Sequence, residues 1–334
     1  MDERKFERVL VTGGDGSGGS YMIEHVAEHH PETEIFSTHR GGKVPAHLEV
    51  IQAKIKRDYC NFNDQNAVLK FLQSVNPNLI FHFASDANVR ESFDRPEYVY
   101  RNNIAYCGIN FFGALRELKK SSSYFDPVVA HCSTSEVYGK VLPDEVPVKE
   151  TQPPRPSSPY GESKVAQDMM AESYFKNYGL KIIRPRMFTY VSPRRKNIFS
   201  TAFAMQVARI EAGLQGELVH GNLDSVRTIL DVRDAMEAYW LTAAKCEFGE
   251  AYNIGGKKVI SVGKFLELLK SKAKCSISSR LDHALTRPSD VTLQIPDTSK
   301  FENATGWKPK YSFEETVDFL LEQCRLEVER GVLR

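Results

Sequence analysis

Up to about residue 184, short apolar runs alternate with amphipathic stretches. Arg8-Val-Leu-Val-Thr12 reads as a buried strand, followed by a helical pattern over 20–29. Strand-like runs recur at 34–38, 50–58, 79–84 and 128–134, with helical periodicity at 65–74, 99–120 and 159–178. Strands and helices in alternation predict an α/β fold with a doubly wound parallel sheet. After Pro185 the pattern loosens, then 230–234, a helix over 235–244 and an edge strand over 249–255 return to the sheet. The expectation is a nucleotide-binding domain of 1–185 with 228–256, and a smaller, discontinuous α/β domain of 186–227 with 257–334. Helices are expected there at 262–272, 301–305 and 312–329. The Pro-rich stretch 151–159 reads as a rigid loop, and Trp307 and His82 read as packing residues.

Chemistry enters where these elements end. Gly13-Gly-Asp-Gly16-Ser17-Gly18-Gly19 lies between a strand and a helix, where a dinucleotide's phosphates sit. Gly13 permits the tight turn, Gly16 the approach of a pyrophosphate and Gly19 close helix packing, while the helix N-terminus offers amides to an anion. The second strand ends at His39-Arg40 instead of an acidic residue. A cation at this point suits a 2′-phosphate, so Arg40 points to NADP over NAD. Asp58, ending the third strand, is the candidate for the adenine edge. Phe83 and Ala84, after the fourth, fall where the chain passes closest to a dinucleotide.

The run 128–134 leads into Thr134-Ser135-Glu136, at the edge where open parallel sheets bind ligands. Residues i and i+2 of an extended strand face one side, so Thr134 and Glu136 should point together into one cleft, a hydrogen-bonding hydroxyl beside a candidate base. Tyr160 and Lys164, four residues apart, share one helix face. An ammonium beside a phenol lowers its pKa from about 10, which would suit proton transfer during redox chemistry on a hydroxyl. Pro193-Arg194-Arg195-Lys196 can neutralise a diphosphate, arginine being suited to bidentate phosphate contacts.

Composition narrows the class without selecting the chemistry. The chain has 334 residues, 44 basic against 43 acidic, and is 41% hydrophobic. That balance gives no reason to expect nucleic acid as a partner. No apolar run approaches the roughly 20 residues of a membrane span, and no apolar leader follows Met1, so a cytoplasmic enzyme is expected. The six cysteines lack zinc-like spacing, and reduced thiols without a metal are expected.

Taken together, the glycine turn, Ser-Thr134-Ser-Glu136-Val-Tyr-Gly-Lys and Ser-Pro-Tyr160-Gly-Glu-Ser-Lys164 resemble the extended short-chain dehydrogenase/reductase superfamily. Further segments are similar to its GDP-mannose 4,6-dehydratase group: Ser192-Pro-Arg194-Arg195, Gly221-Asn222-Leu-Asp224 with Arg227, Arg287-Pro-Ser-Asp290-Val and Thr305-Gly-Trp307-Lys-Pro309. The resemblance implies a Rossmann-type domain holding NADP and a GDP-sugar substrate. It makes Thr134, Tyr160 and Lys164 a redox triad, with Lys164 on the cofactor ribose and Glu136 the base at the sugar C5. It also implies substrate contacts from Ser135, Thr189, Arg194, Arg195, Asn222, Arg227 and Arg287. Where the group has Phe-Asn-His, this chain has Phe188-Thr189-Tyr190, an asparagine replaced by threonine. The framework is shared with 4-keto-6-deoxy sugar-nucleotide reductases and C4 epimerases, and a non-catalytic NADP-binding protein could be built on it. Pairing through 99–120 and 159–178 would give a homodimer, with a tetramer as the alternative.

Overall fold

The structure, a computed structural model, describes residues 3–49, 51–286 and 293–331. Its first part runs β1 (Arg8–Thr12), α1 (Ser17–His29), β2 (Glu34–His39), α2 (Ala46–Glu49), β3 (Ile55–Tyr59), α3 (Gln65–Val75) and β4 (Leu79–His82). Next come α4 (Val89–Asp94), α5 (Pro96–Tyr100), a π-helical run Arg101–Asn110, α6 (Phe111–Ser121), β5 (Val128–His131), β6 (Ser133–Thr134) and α7 (Pro159–Tyr178). The chain continues through β7 (Lys181–Met187), β8 (Tyr190–Val191), α8 (Phe199–Glu211), β9 (Leu218–His220), β10 (Val226–Asp231), α9 (Val232–Lys245) and β11 (Ala251–Ile254). It closes with β12 (Lys258–Ser261), α10 (Val262–Ser271), β13 (Ser279–Leu281), β14 (Leu293–Gln294), α11 (Ser299–Thr305) and α12 (Phe313–Glu329).

The large sheet has the order β11-β7-β5-β4-β1-β2-β3, with β6 also on β7, and every pairing is parallel. Burial on both sides of its inner strands produces the alternation. Val9 and Val11, Leu79 and Phe81, and Val128 and Ala130 pack on the face covered by α1 and α9. Leu10, Ile80 and Val129 pack on the opposite face, with α3, α6 and α7. Successive strand residues point to opposite faces, so these short apolar strands serve two cores. The order reverses between β1 and β4, and their C-terminal ends open a crevice at that switch.

A smaller sheet carries β10 between β12 and β14, with β8 on the last two residues of β10. Its core joins β10 to α8, α10 and α12 through Phe203, Ile229, Phe265 and Leu320. Phe301 and Trp307 instead join the interior of the large sheet.

Three local differences from the sequence reading bear on the cleft. The third strand begins at Ile55, following α2 and a short 3-10 turn. The stretch 99–120 is helical throughout but has π geometry over Arg101–Asn110. Thr134 and Glu136 are brought together by a 3-10 turn over Ser135–Val137, in which Thr134 Oγ1 accepts from the Glu136 amide at 3.3 Å. Strand alternation therefore does not juxtapose them; the end of the strand does.

Candidate active site

One side of the cleft is built from backbone. Gly13 has φ +69°, and its amide donates to Thr38 Oγ1 at 2.9 Å. The Gly13 carbonyl leaves 2.4 Å for a Cβ at Gly19, so α1 can approach the turn only through glycine. A Cβ at Gly18 would lie 2.9 Å from the Phe83 ring. Gly16 precedes α1 in extended geometry and no side chain caps the helix, leaving that anion-favouring end to the cleft. Ser17 Oγ meets Ser192 Oγ at 2.6 Å. Phe83, Ala84 and Arg40 line the same cleft, with Arg40 Nη2 3.5 Å from Asn102 Oδ1.

Asp58 is not on this wall. It is exposed, and the cleft takes Cys60 and Phe62 beyond it. Its neighbour Arg57 instead grips Asp15 of the glycine turn, with bonds of 2.9 and 2.5 Å. β3 runs one residue past Asp58, to Tyr59, so Asp58 still lies within the strand and the lining resumes at Cys60.

The opposite side is made of side chains from remote segments. Thr134, Ser135, Glu136, Tyr160 and Lys164 border one cleft of about 840 Å³. Ser158 caps α7 by accepting from the Gly161 amide at 3.0 Å, and Pro159 fills the first helical position, fixing where Tyr160 begins. Tyr160 is 6% exposed. Burial pushes its hydroxyl up to about 12; Arg195 opposes this, Glu136 adds to it and the Thr134 hydroxyl relieves it. The expectation that Lys164 lowers Tyr160 is thus corrected. Lys164 Nζ donates to Gln167 Oε1 at 2.5 Å, and burial lowers Lys164 itself to about 8. Desolvation outweighs the attraction expected of the pair, and Arg195 is the cation that acts on the phenol.

Behind this face stands a network absent from the sequence reading. Asp168, one turn beyond Lys164, accepts from Arg184 Nη1 and Arg186 Nη2, each at 2.8 Å, and from Ser133 Oγ at 2.6 Å. Burial alone would raise its carboxyl, but hydrogen bonding and charge from Arg186, with Arg184, hold it below the ordinary range. Gln167 Nε2 donates to the Asn103 carbonyl at 2.6 Å, and Asn103 Nδ2 to Ser163 Oγ at 2.9 Å, seating α7 on the π-helical run. The i, i+4, i+8 spacing of Tyr160, Lys164 and Asp168 was the available sequence signal.

Of the expected substrate residues, Ser135, Thr189, Arg194, Arg195 and Arg227 border the cleft. Arg194 is committed to α1, pairing with Glu24 at 2.6 Å and lying over the Tyr21 ring at 3.8 Å. Asn222 is exposed and outside the lining, where Oδ1 accepts from the Asp224 amide at 2.8 Å. Arg287 lies outside the described residues. Gln294 was missed, although a polar residue between Leu293 and Ile295 marked it. It is 4% exposed and donates from Nε2 to Glu136 Oε1 at 2.9 Å. Among the described residues no cluster of His, Cys, Asp and Glu could hold a metal, and no helix is long and apolar enough to cross a membrane.

A parallel sheet with a glycine turn at its switch point, and a Tyr-Lys helix beside the carboxyl edge, is the framework of the extended short-chain dehydrogenases/reductases. Within that superfamily the chain belongs to the GDP-mannose 4,6 dehydratase family, whose model matches residues 10–319. It is 29% identical to GDP-mannose 4,6 dehydratase of Cricetulus griseus, over 92% of this chain and 88% of that one. It is also 25% identical to GDP-6-deoxy-D-mannose reductase of Pseudomonas aeruginosa, over 94% and 96%. Among solved structures it resembles UDP-glucose 4-epimerase of Thermus thermophilus in complex with NAD, with TM-score 0.82 and 26% identity over 95% of this chain and 99% of that one.

Proposed function

We propose that the protein is a nucleotide-sugar 4,6-dehydratase, converting GDP-mannose or a closely similar GDP-sugar to the GDP-4-keto-6-deoxy sugar with internally recycled NADP. The observation that carries this reading is Glu136 in one cleft with Thr134 and Tyr160. Reduction or epimerisation at C4 needs the redox pair alone, whereas removal of water across C5 and C6 also needs a base.

The cofactor fits this chain's own residues. The Gly13–Gly19 turn would take the pyrophosphate, Arg40 the 2′-phosphate and Lys164 the ribose hydroxyls, with Phe83 and Ala84 alongside. When bound, NADP would supply the hydride exchange, away from the sugar C4 and back to C6. Thr134 orients the O4 hydroxyl toward Tyr160 Oη, which exchanges its proton. Burial holds Tyr160 protonated in the resting site, so the base form depends on positive charge near Oη, and Arg195 supplies part of it. Oxidation at C4 acidifies the C5 proton. Glu136 takes that proton, the C5–H electron pair forms the C5–C6 double bond, and the C6–O bond breaks as the hydroxyl leaves as water with the proton Glu136 has taken; the proton held by Tyr160 goes back at C5 as hydride enters C6. Ser135, Thr189, Arg195 and Arg227 face the GDP-sugar in this reading, while Arg194 braces the wall. A homodimer through α5, the π-helical run, α6 and α7 belongs to the same proposal, and the exposed Tyr98, Ile109 and Met169 supply apolar side chains for it.

The test is mass spectrometry of GDP-mannose incubated with purified protein and catalytic NADP+. A product lighter by one water, without net NADPH, supports the dehydratase. Unchanged sugar, with NADPH consumed when a 4-keto-6-deoxy sugar nucleotide is supplied, would assign the protein to the reductases.

A further inference from the structure

The departure at Thr189 and the unexpected Gln294 meet in space. Gln294 Oε1 accepts from Thr189 Oγ1 at 3.4 Å, while Gln294 Nε2 donates to Glu136 Oε1 at 2.9 Å. Both ends of one amide are therefore engaged, so turning it over would set acceptor against acceptor at the carboxylate. The strand carrying it is itself fixed. Leu293 and Gln294 pair with Val226 and Arg227 of β10. On the other side the Val148 amide donates to the Ile295 carbonyl, and the Asp297 amide to the Val148 carbonyl, each at 2.8 Å. The result is a side chain held by the small sheet and reaching a carboxylate 158 positions earlier in the chain. Glu136 sits in a short turn after β6 and would otherwise have rotamer freedom at the point where a proton must be taken.

We infer that Gln294 is a positioning residue for Glu136, fixing Oε1 so that Oε2 is presented to the C5 proton, and that Thr189 orients the Gln294 amide. The inference rests on the proposed role of Glu136 as base. It also gives the threonine that replaces the family's asparagine a task within the protein, beside its place on the cleft wall.

The experiment compares wild type with Gln294→Leu, Gln294→Met and Gln294→His, using GDP-mannose and GDP-mannose deuterated at C5 or at C4. Thermal unfolding and NADP+ binding, read by fluorescence, establish that each variant is folded. Losing a buried hydrogen bond to a charged group should lower kcat by about ten- to a hundred-fold, with KM within about two-fold. The C5 isotope effect on kcat should rise and the C4 effect shrink, because proton removal becomes slower while oxidation is untouched. Gln294→His keeps a donor and should recover part of the rate. A folded Gln294→Leu or Gln294→Met protein with wild-type kcat, or with kcat lowered and both isotope effects unchanged, overturns the inference. Failure of the underlying reading is seen in the wild type alone, as no loss of water from GDP-mannose, and removes both.

Discussion

The two walls of the cleft are made by different means. The cofactor-facing wall is backbone: a turn whose shape depends on the absence of side chains at Gly13, Gly18 and Gly19, at the end of a strand buried on both faces. The opposite wall is an assembly of side chains, Thr134, Glu136, Tyr160, Lys164 and Gln294, drawn from segments up to 160 residues apart. A backbone wall tolerates little addition and needs few partners. A side-chain wall needs each member held by another, and the Asp168 and Gln294 networks do that. The first wall can be damaged by adding one carbon, and the second by removing one hydrogen bond.

The largest effects belong to the side-chain wall. Glu136→Gln and Tyr160→Phe should each lower kcat by about 10²- to 10⁴-fold, the usual worth of a positioned acid or base, with NADP+ affinity kept within a few-fold. Steady-state kinetics and fluorescence titration decide this, and normal turnover in either variant would refute the role given to that residue. Asp168→Asn leaves Arg184 and Arg186 short of a buried counter-charge and should cost about 3–5 kcal/mol in urea unfolding. Because the folded Asp168 carboxyl is held below its ordinary value, its contribution is present above the ordinary carboxylate range. It is lost as pH falls through the folded value. The wild-type advantage over Asp168→Asn should therefore narrow in acid.

Lys164→Met should abolish turnover yet raise stability near neutral pH. A lowering from 10.5 to about 8 corresponds to roughly 3 kcal/mol of disfavoured charge, partly offset by the lost bond to Gln167. Below about 8 the folded state bears the whole cost. Between 8 and 10.5 the unfolded chain binds more protons, so wild-type stability from this group rises with pH and the variant's lead should shrink. Denaturant curves at about pH 7 and about pH 9.5 measure it, and a variant much less stable at both would contradict this account. The smallest effect tests the backbone wall: Gly19→Ala places a Cβ 2.4 Å from the Gly13 carbonyl. About 1–3 kcal/mol should be lost to overpacking, together with much of the NADP+ affinity, whereas an unchanged dissociation constant would separate this glycine from the cofactor.

The same contrast explains what could be read from the sequence. The parallel sheet, the glycine turn and α7 were legible because each leaves a local, periodic or compositional mark. Thr134, Glu136, Tyr160 and Lys164 were found by their places at element ends, and all border the cleft. Asp58 lies outside the lining because the strand runs one residue past it, and a strand's last residue is not fixed by its pattern; Asn222 lies outside the lining as well, and an asparagine in a turn looks the same in sequence as one in a site. The electrostatics of Tyr160 depended on burial, to which i, i+4 spacing is blind. The π-helical run carries no periodicity that separates it from an α-helix. Gln294 and Asp168 each carry a local mark, a polar residue between apolar ones and the i+8 position after Tyr160, but their partners, Glu136 and the pair Arg184 and Arg186, are set by tertiary pairings that the local pattern does not show.

One strand has a consequence for how such a protein can change over generations. The first residues of β10 pair with β12 and β14, its last two pair with β8, and the next residue begins α9 inside the large sheet's core. The two lobes are thus bolted through a single unbroken length of chain. A segment containing it cannot be exchanged without disturbing both sheets at once. A change in this strand would therefore be felt in both sheets, whereas a change in a side chain of the cleft lining need not be.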